Sequence, residues 1–222
     1  MNINDFQNYA GLVKHAVSKD DARPILQCLH AEFDDKRTHI VAADGFRLAH
    51  ISFEGESLVG NYSFANKEIQ DILKAKDKYK ELPKLPEYEG EFPYWQQLIP
   101  DTSTRTSFMV YLGDLTAISK TLQECNTTKC FLKDDKLAIS GCFKGYKDII
   151  MFQTEIAVES LDLKAEYTKF AINPKYVFDF CKALSKSPLT QVGISIGTPS
   201  DPIVFRHPYL EEIIMPMFAE WQ

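Results

Sequence analysis

Four prolines, Pro83, Pro86, Pro93 and Pro100, fall between Glu81 and Pro100 and constrain this chain more than any other feature. Each lacks a backbone N–H and fixes φ, so neither a helix nor a central strand runs through the segment. It reads as a connection between two folded halves, with residues 1–82 and 105–222 as the expected domains and 83–104 as the linker. A chain of 222 residues is long enough for two domains of ordinary size.

The two halves carry the same order of patterns. In the first, Asp5 to Ser18 puts Phe6, Tyr9, Ala10, Val13 and Val17 at helical spacing. From Leu26 to Phe33 the period is that of a strand, Asp34-Asp35-Lys36 is a tight turn, and Thr38 to Ala42 is the returning strand. Strands are expected again at Phe46 to Phe53 and Tyr62 to Ala65. A second helix is expected from Lys67 to Lys80, with Ile69, Ile72, Leu73 and Tyr79 inward. The second half repeats this outline. It has a strand from Ser107, a helix from Asp114 to Cys125 with Leu115, Ile118 and Leu122 inward, and strands from Lys129, Lys136, Asp148 and Thr168. A helix from Pro174 to Ser185 follows, with Pro174 in its first turn after Asn173. Three further strands, at Gln191, Ile203 and Glu212, have no counterpart after the second helix of the first half. The expectation is an α+β fold made of an internal duplication, its N-terminal copy shortened.

Composition narrows the class. With 45% hydrophobic and 25% charged residues and no apolar run near the roughly 20 residues of a membrane helix, the chain reads as soluble and free of membrane partners. Met1-Asn2-Ile3-Asn4-Asp5 has neither the basic nor the apolar region of a secretory signal, so a cytoplasmic protein is expected. Cys28, Cys125, Cys130, Cys142 and Cys181 form no Cys-x-x-Cys pair and no zinc spacing; buried, reduced thiols without metal or cofactor are expected. A net charge of −6 argues against a surface that is basic throughout and leaves room for a local basic patch.

The run Leu210-Glu211-Glu212-Ile213-Ile214-Met215-Pro216-Met217-Phe218 begins as a strand and stops being one at Pro216. Two thioethers astride a proline make an adaptable apolar surface, suited either to core filling or to a groove for peptides.

Arg23-Pro24-Ile25-Leu26, Ala43-Asp44-Gly45-Phe46-Arg47-Leu48-Ala49, Phe92-Pro93-Tyr94 with Leu98-Ile99-Pro100, Asn173-Pro174-Lys175-Tyr176-Val177 and Ile213-Ile214-Met215-Pro216-Met217 stand in an order that spans almost the whole chain. In these pieces the chain resembles the middle and C-terminal domains of the bacterial DNA polymerase III beta sliding clamp; the family's first domain has no counterpart. The resemblance implies duplicated clamp domains, each with two helices lining a central hole and antiparallel sheets outside them. It implies a DNA polymerase processivity factor without catalytic residues. Polymerase and clamp-loader peptides carrying glutamine, leucine and phenylalanine would dock in a groove formed by Leu26, Ala43, Gly45, Phe46, Leu48, Pro100, Ile213, Met215, Pro216 and Met217. Phe46 and Ala43 stand where the family tends to have histidine and threonine and make the wall more apolar, and Phe218 stands where the family commonly has arginine.

Duplex DNA, bound without regard to sequence, would meet lysines on the helices' outer faces: Lys14, Lys67, Lys74, Lys78, Lys120, Lys175, Lys182 and Lys186. Ordinary solvated helix faces read the same way, and Glu68, Asp71 and Asp77 dilute the patch. A two-domain chain could close a six-domain ring as a head-to-tail trimer, but the strands missing from the first half resemble those that join clamp subunits. The alternative is a clamp-derived peptide-binding module or decoy that does not encircle DNA. An enzyme would need a nucleophile; Cys125 and Cys130 are the candidates, yet no nucleophile elbow or phosphate loop accompanies them.

Overall fold

The computed structural model describes residues 3–55, 58–75, 81–144, 149–164 and 168–221. They form two compact units, the first made of Met1–Leu98 with Tyr209–Glu211 and the second of Ile99–Pro208 with Glu212–Gln222. Much of the proline-rich segment expected to be a linker therefore belongs to the first unit, where Leu85 and Trp95 are buried.

In the first unit α1 (Ile3–Val13) runs into a 3-10 turn, Lys14–Ala16, rather than continuing as one helix to Ser18. Ile3, Phe6, Ala10 and Val13 form its buried stripe, whereas Tyr9 lies at the margin, stacked on Phe53 at 4.3 Å. A second 3-10 turn, Pro24–Gln27, occupies the expected start of the first strand. Pro24 favours a helical first turn, and the Leu26 amide is taken by the Arg23 carbonyl at 3.0 Å. Strands β1 (Cys28–Phe33), β2 (Arg37–Ala43), β3 (Arg47–Glu54) and β4 (Gly60–Ser63) then build an antiparallel sheet ordered β4-β1-β2-β3. Its register puts Leu29, Ala31, Ile40, Ala42, Ala49 and Ile51 on one buried face, against which α1 packs. The opposite face carries His30, Glu32, His39, Val41 and His50. Helix α2 (Lys67–Lys74) starts at Asn66, whose side chain accepts the Glu68 and Ile69 amides, and buries Ile69 and Ile72. The remainder of the expected helix, with Lys76, Lys78, Tyr79 and Lys80, lies outside the described residues.

The second unit opens with β5 (Thr106–Tyr111) and α3 (Leu112–Leu122), followed by β6 (Thr128–Lys133), β7 (Lys136–Lys144), β8 (Ile149–Ala157), β9 (Ser160–Asp162) and β10 (Lys169–Ile172). Helix α4 (Pro174–Ala183), strands β11 (Gln191–Ile196) and β12 (Ile203–His207), and the part of β13 (Leu210–Ile214) from Glu212 onward complete it. The expected Pro174 start of α4 is observed, with Asn173 accepting the Lys175 amide. β9 is absent from the sequence reading, and Ile118 of α3 is only half-buried. One sheet is ordered β10-β6-β7-β8; in the other, β13, β12, β11, β5 and β9 are successive neighbours. Gly141 on β7 lets α3 approach: a Cβ there would lie 3.0 Å from both Cys125 Sγ and Leu122 Cδ2. Alternation then turns Cys142 outward, which corrects the expectation of five buried thiols; the other four are buried.

The topologies show the duplication. α1, β1-β2-β3, β4 and α2 correspond in order and pairing to α3, β6-β7-β8, β10 and α4. Among the described residues the first unit lacks a second sheet of its own.

Candidate docking and DNA-facing sites

The first-unit members of the expected groove gather around the turn between β2 and β3. Ala43 pairs with Leu48, and Asp44 organises the loop they close. Its Oδ1 accepts the amides of Phe46 and Arg47 at 2.9 and 3.0 Å, and its Oδ2 accepts Arg47 Nε at 3.1 Å. The Arg47 guanidinium, itself buried, also donates to the His15 carbonyl and ties the turn to the segment after α1. Gly45 has φ +93°, and a Cβ there would fall 2.3 Å from Arg23 Nη1. Arg23 thus lies over the turn, held by Asp20 Oδ2 at 3.1 Å and donating to the Asp44 carbonyl at 3.4 Å. Phe46, fixed on this frame, is 60% exposed. Ala43 and Leu48, the pair that closes the turn, are buried, as is Leu26 of the Pro24–Gln27 turn, and Phe46 is the side chain the β2–β3 turn presents.

The second-unit members divide similarly. Ile213 on β13 is buried and Pro100 is half-buried. After Ile214 the strand ends, Met215 is 44% exposed, and the chain is caught again at Met217, whose amide donates to the Ala171 carbonyl of β10 at 2.8 Å. Thr127 Oγ1 lies 3.5 Å from Met217 Sδ. Phe218 follows at 90% exposure, nearly the whole ring in solvent. A cavity of about 270 Å³ in the second unit is lined by Ser107, Met109, Ser160, Asp162, Ser195 and Arg206 among others, and includes none of the expected groove residues.

Seven of the eight expected DNA-facing lysines are described: Lys14, Lys67, Lys74, Lys120, Lys175, Lys182 and Lys186. All seven are exposed, and no ion pair among the described residues engages them. α1 packs on α2 in the first unit and α3 on α4 in the second; Lys67 and Lys74 lie on α2, Lys120 on α3 and Lys175 and Lys182 on α4, with Lys14 just after α1 and Lys186 just after α4. Glu68, Asp71 and Asp114 are exposed on the same helices.

Four of the thiols, Cys28, Cys125, Cys130 and Cys181, are buried. Burial pushes Cys28 and Cys181 up to about 11 and Cys130 to about 12, and it raises Cys125 as well. At neutral pH these groups are protonated, whereas the thiolate is the reactive form. His30, His39 and His50 of the first-unit strands are hydrogen-bonded. His30 meets Asn61 Oδ1 at 2.7 Å and Glu32 Oε2 at 3.1 Å, and the His39 and His50 rings meet at 3.0 Å. No helix among the described residues is long and apolar enough to cross a membrane.

With this geometry in view, comparison with solved structures is decisive for the fold. The Bacillus subtilis DNA polymerase sliding clamp superposes with a TM-score of 0.81 at 18% identity, over 99% of this chain and 64% of that one. The fold is that of a sliding clamp. The DNA polymerase III beta subunit of Thermotoga maritima gives a TM-score of 0.79 at 18% identity over 99% of this chain and 65% of its own length. The Pseudomonas aeruginosa clamp gives 0.80 at 14%, covering 66% of that chain. The chain thus spans just under two thirds of the clamps it matches. No family model and no curated protein sequence matches it.

Two features of the site are missing from the sequence reading. Arg23 and Asp44 stand in the motifs without an assigned place in the groove; an Asp-Gly pair signals the turn, but nothing local signals that Arg23 covers it. The attachment of Met217 to β10 joins residues too far apart in sequence to be read from any period.

Proposed function

We propose that this chain is a clamp-like replication factor that docks partner peptides through the Gly45–Leu48 turn and the Ile213–Met217 segment. Its helix lysines would contact duplex DNA without sequence preference. The observation that carries the reading is the pair of exposed apolar side chains, Phe46 and Met215, on backbone fixed by hydrogen bonds within each unit. Exposed apolar groups on a prearranged frame bind a flexible peptide at little ordering cost to the protein. Thioether and aromatic surfaces suit the leucine and phenylalanine anchors of a clamp-binding peptide, and the exposed backbone beside Gly45 suits its glutamine.

Fluorescence anisotropy with a peptide carrying glutamine, leucine and phenylalanine tests it. Binding should saturate and should weaken roughly tenfold in Phe46→Ala and in Met215→Ala, each removing a central apolar contact, with melting unchanged.

Among the described residues the first unit has one sheet, which favours a refinement, a module that does not close a ring on its own. A processivity assay on primed circular DNA separates the two readings. A ring-forming clamp lengthens the products of a partner polymerase and stays trapped on the circle, whereas a module does neither.

A further inference from the structure

Beyond Met217 the chain contains a second attachment that neither the fold nor the groove requires. Lys129 on β6 and Lys169 on β10 lie on one face of their sheet, since the register pairs Ala171 with Lys129 and Lys169 with Phe131. Their ammonium groups lie 5.8 and 5.7 Å from the centroid of the Trp221 ring, within cation–π range, and Lys169 also lies 5.2 Å from the Phe131 ring. Lys129 Nζ donates to the Glu220 carbonyl as well. Segment 217–221 is therefore held at both ends, by a backbone hydrogen bond at Met217 and by two cations on an aromatic ring at Trp221. Phe218 lies between these points with almost its whole side chain in solvent.

A short irregular segment fixed at one end samples many backbone states; fixing the second end removes most of them. We propose that Lys129, Lys169 and Trp221 are positioning residues, a latch that holds segment 215–221 against β10 and so presents Met215 and Phe218 to a partner peptide. The proposal rests on the docking function above. It assigns no contact with the peptide to the latch itself, whose effect passes through the order of the segment.

Two readouts on the same variants test it: hydrogen exchange of the Met217 amide, and anisotropy with the glutamine/leucine/phenylalanine peptide. Trp221→Ala should speed Met217 exchange and weaken the peptide by roughly tenfold each, through removal of two cation–aromatic interactions, without lowering the melting temperature. Trp221→Phe, which keeps an aromatic face, should restore most of both, and Lys129→Ala with Lys169→Ala should reproduce Trp221→Ala. Unchanged Met217 exchange in Trp221→Ala overturns the latch, whatever the peptide does. Accelerated exchange with peptide affinity unchanged in Trp221→Ala but weakened in Met215→Ala overturns its role in docking. Accelerated exchange with no peptide binding even by the wild-type chain overturns instead the docking reading on which the proposal stands.

Discussion

Trp95 and Trp221 lie on corresponding sheets of the two units, each on the face turned away from the buried core residues, and they are held there by different chemistry. In the first unit the ring of Trp95 tilts over His39 and His50, with centroids 5.5 and 4.6 Å away, and Phe92 stacks on His30 at 4.7 Å. Gln96 donates to Glu32, and the histidines are themselves bonded to carboxylates, His39 to Asp34 at 2.9 Å and His50 to Glu211 at 3.3 Å. Trp95 ends up 3% exposed. In the second unit Trp221 rests on two lysines and remains 38% exposed. The same topological face is thus closed by a buried aromatic strap in one copy and by a half-open cationic latch in the other. A strap that excludes water contributes mainly to folding, whereas a latch in contact with solvent can yield without unfolding its sheet.

The strongest way to break this contrast is Trp95→Ala. Truncating so buried an aromatic should cost the first unit about 3–5 kcal/mol, read as reduced amide protection in β1 to β3 by hydrogen-exchange mass spectrometry. Protection in β6, β7 and β10 should hold. Equal reduction in both units would mean that the strap is not a local device. Gly45→Ala comes next, because it combines a positive φ with a Cβ that must displace Arg23. A cost of about 1–2 kcal/mol is expected, measured by urea unfolding, and Arg23→Ala in the same background should recover part of it by removing the collision.

The helix pairs allow a finer comparison. Replacing Lys175 and Lys182 by alanine should weaken DNA binding and reduce the slope of log affinity against log salt by about 0.9 for each phosphate no longer neutralised. Lys67 and Lys74, which share α2 with Glu68 and Asp71, should give a smaller change in slope.

The smallest expected effect is in acid. Burial holds His207 below the usual imidazole range, the Leu189 carbonyl opposing the shift only in part. The unfolded chain then binds protons more readily than the folded one, so this contribution to the second unit is whole above about pH 6.5. It declines as pH falls through the lower folded value. Asp34 in the first unit is pushed down to about 2, chiefly by the Lys36 amide and then by His39 and the Arg37 amide. Its contribution is present above about pH 3.9 and is lost only as pH falls through about 2. His207→Gln should flatten the dependence of second-unit protection on pH between 7 and 5, with Asp34→Asn leaving that window unchanged.

Much of this fold is legible in the sequence because its elements are regular. The spacing of Phe6, Ala10 and Val13, the Asn173-Pro174 start of α4 and the alternation in β2 and β3 each point to one local structure. Irregular backbone is less legible. The turn Pro24–Gln27 carries strand-like residues but takes its form from Pro24, and β9 is three residues long, too short for any period to emerge. The strap reads as linker because prolines exclude regular structure, yet they do not prevent Leu85 and Trp95 from being buried. At the site, the motifs locate the Gly45 turn and the Met215 segment but not what secures them. Arg23 over Gly45 and Trp221 over Lys129 and Lys169 join distant positions, and no local pattern encodes such pairings. Several positions expected to line the groove, Leu26, Leu48 and Ile213 among them, are buried in the core.

The proposed docking function assigns peptide contact to Phe46 and to Met215, exposed apolar side chains that each stand on a stretch fixed within its own unit. Titration of the labelled glutamine/leucine/phenylalanine peptide into wild type, Phe46→Ala, Met215→Ala and the double variant tests it most directly. Saturable binding, weakened by each single change and by more in the double, is the predicted result. Binding that ignores both side chains, or a wild-type chain that does not bind the peptide, would contradict it.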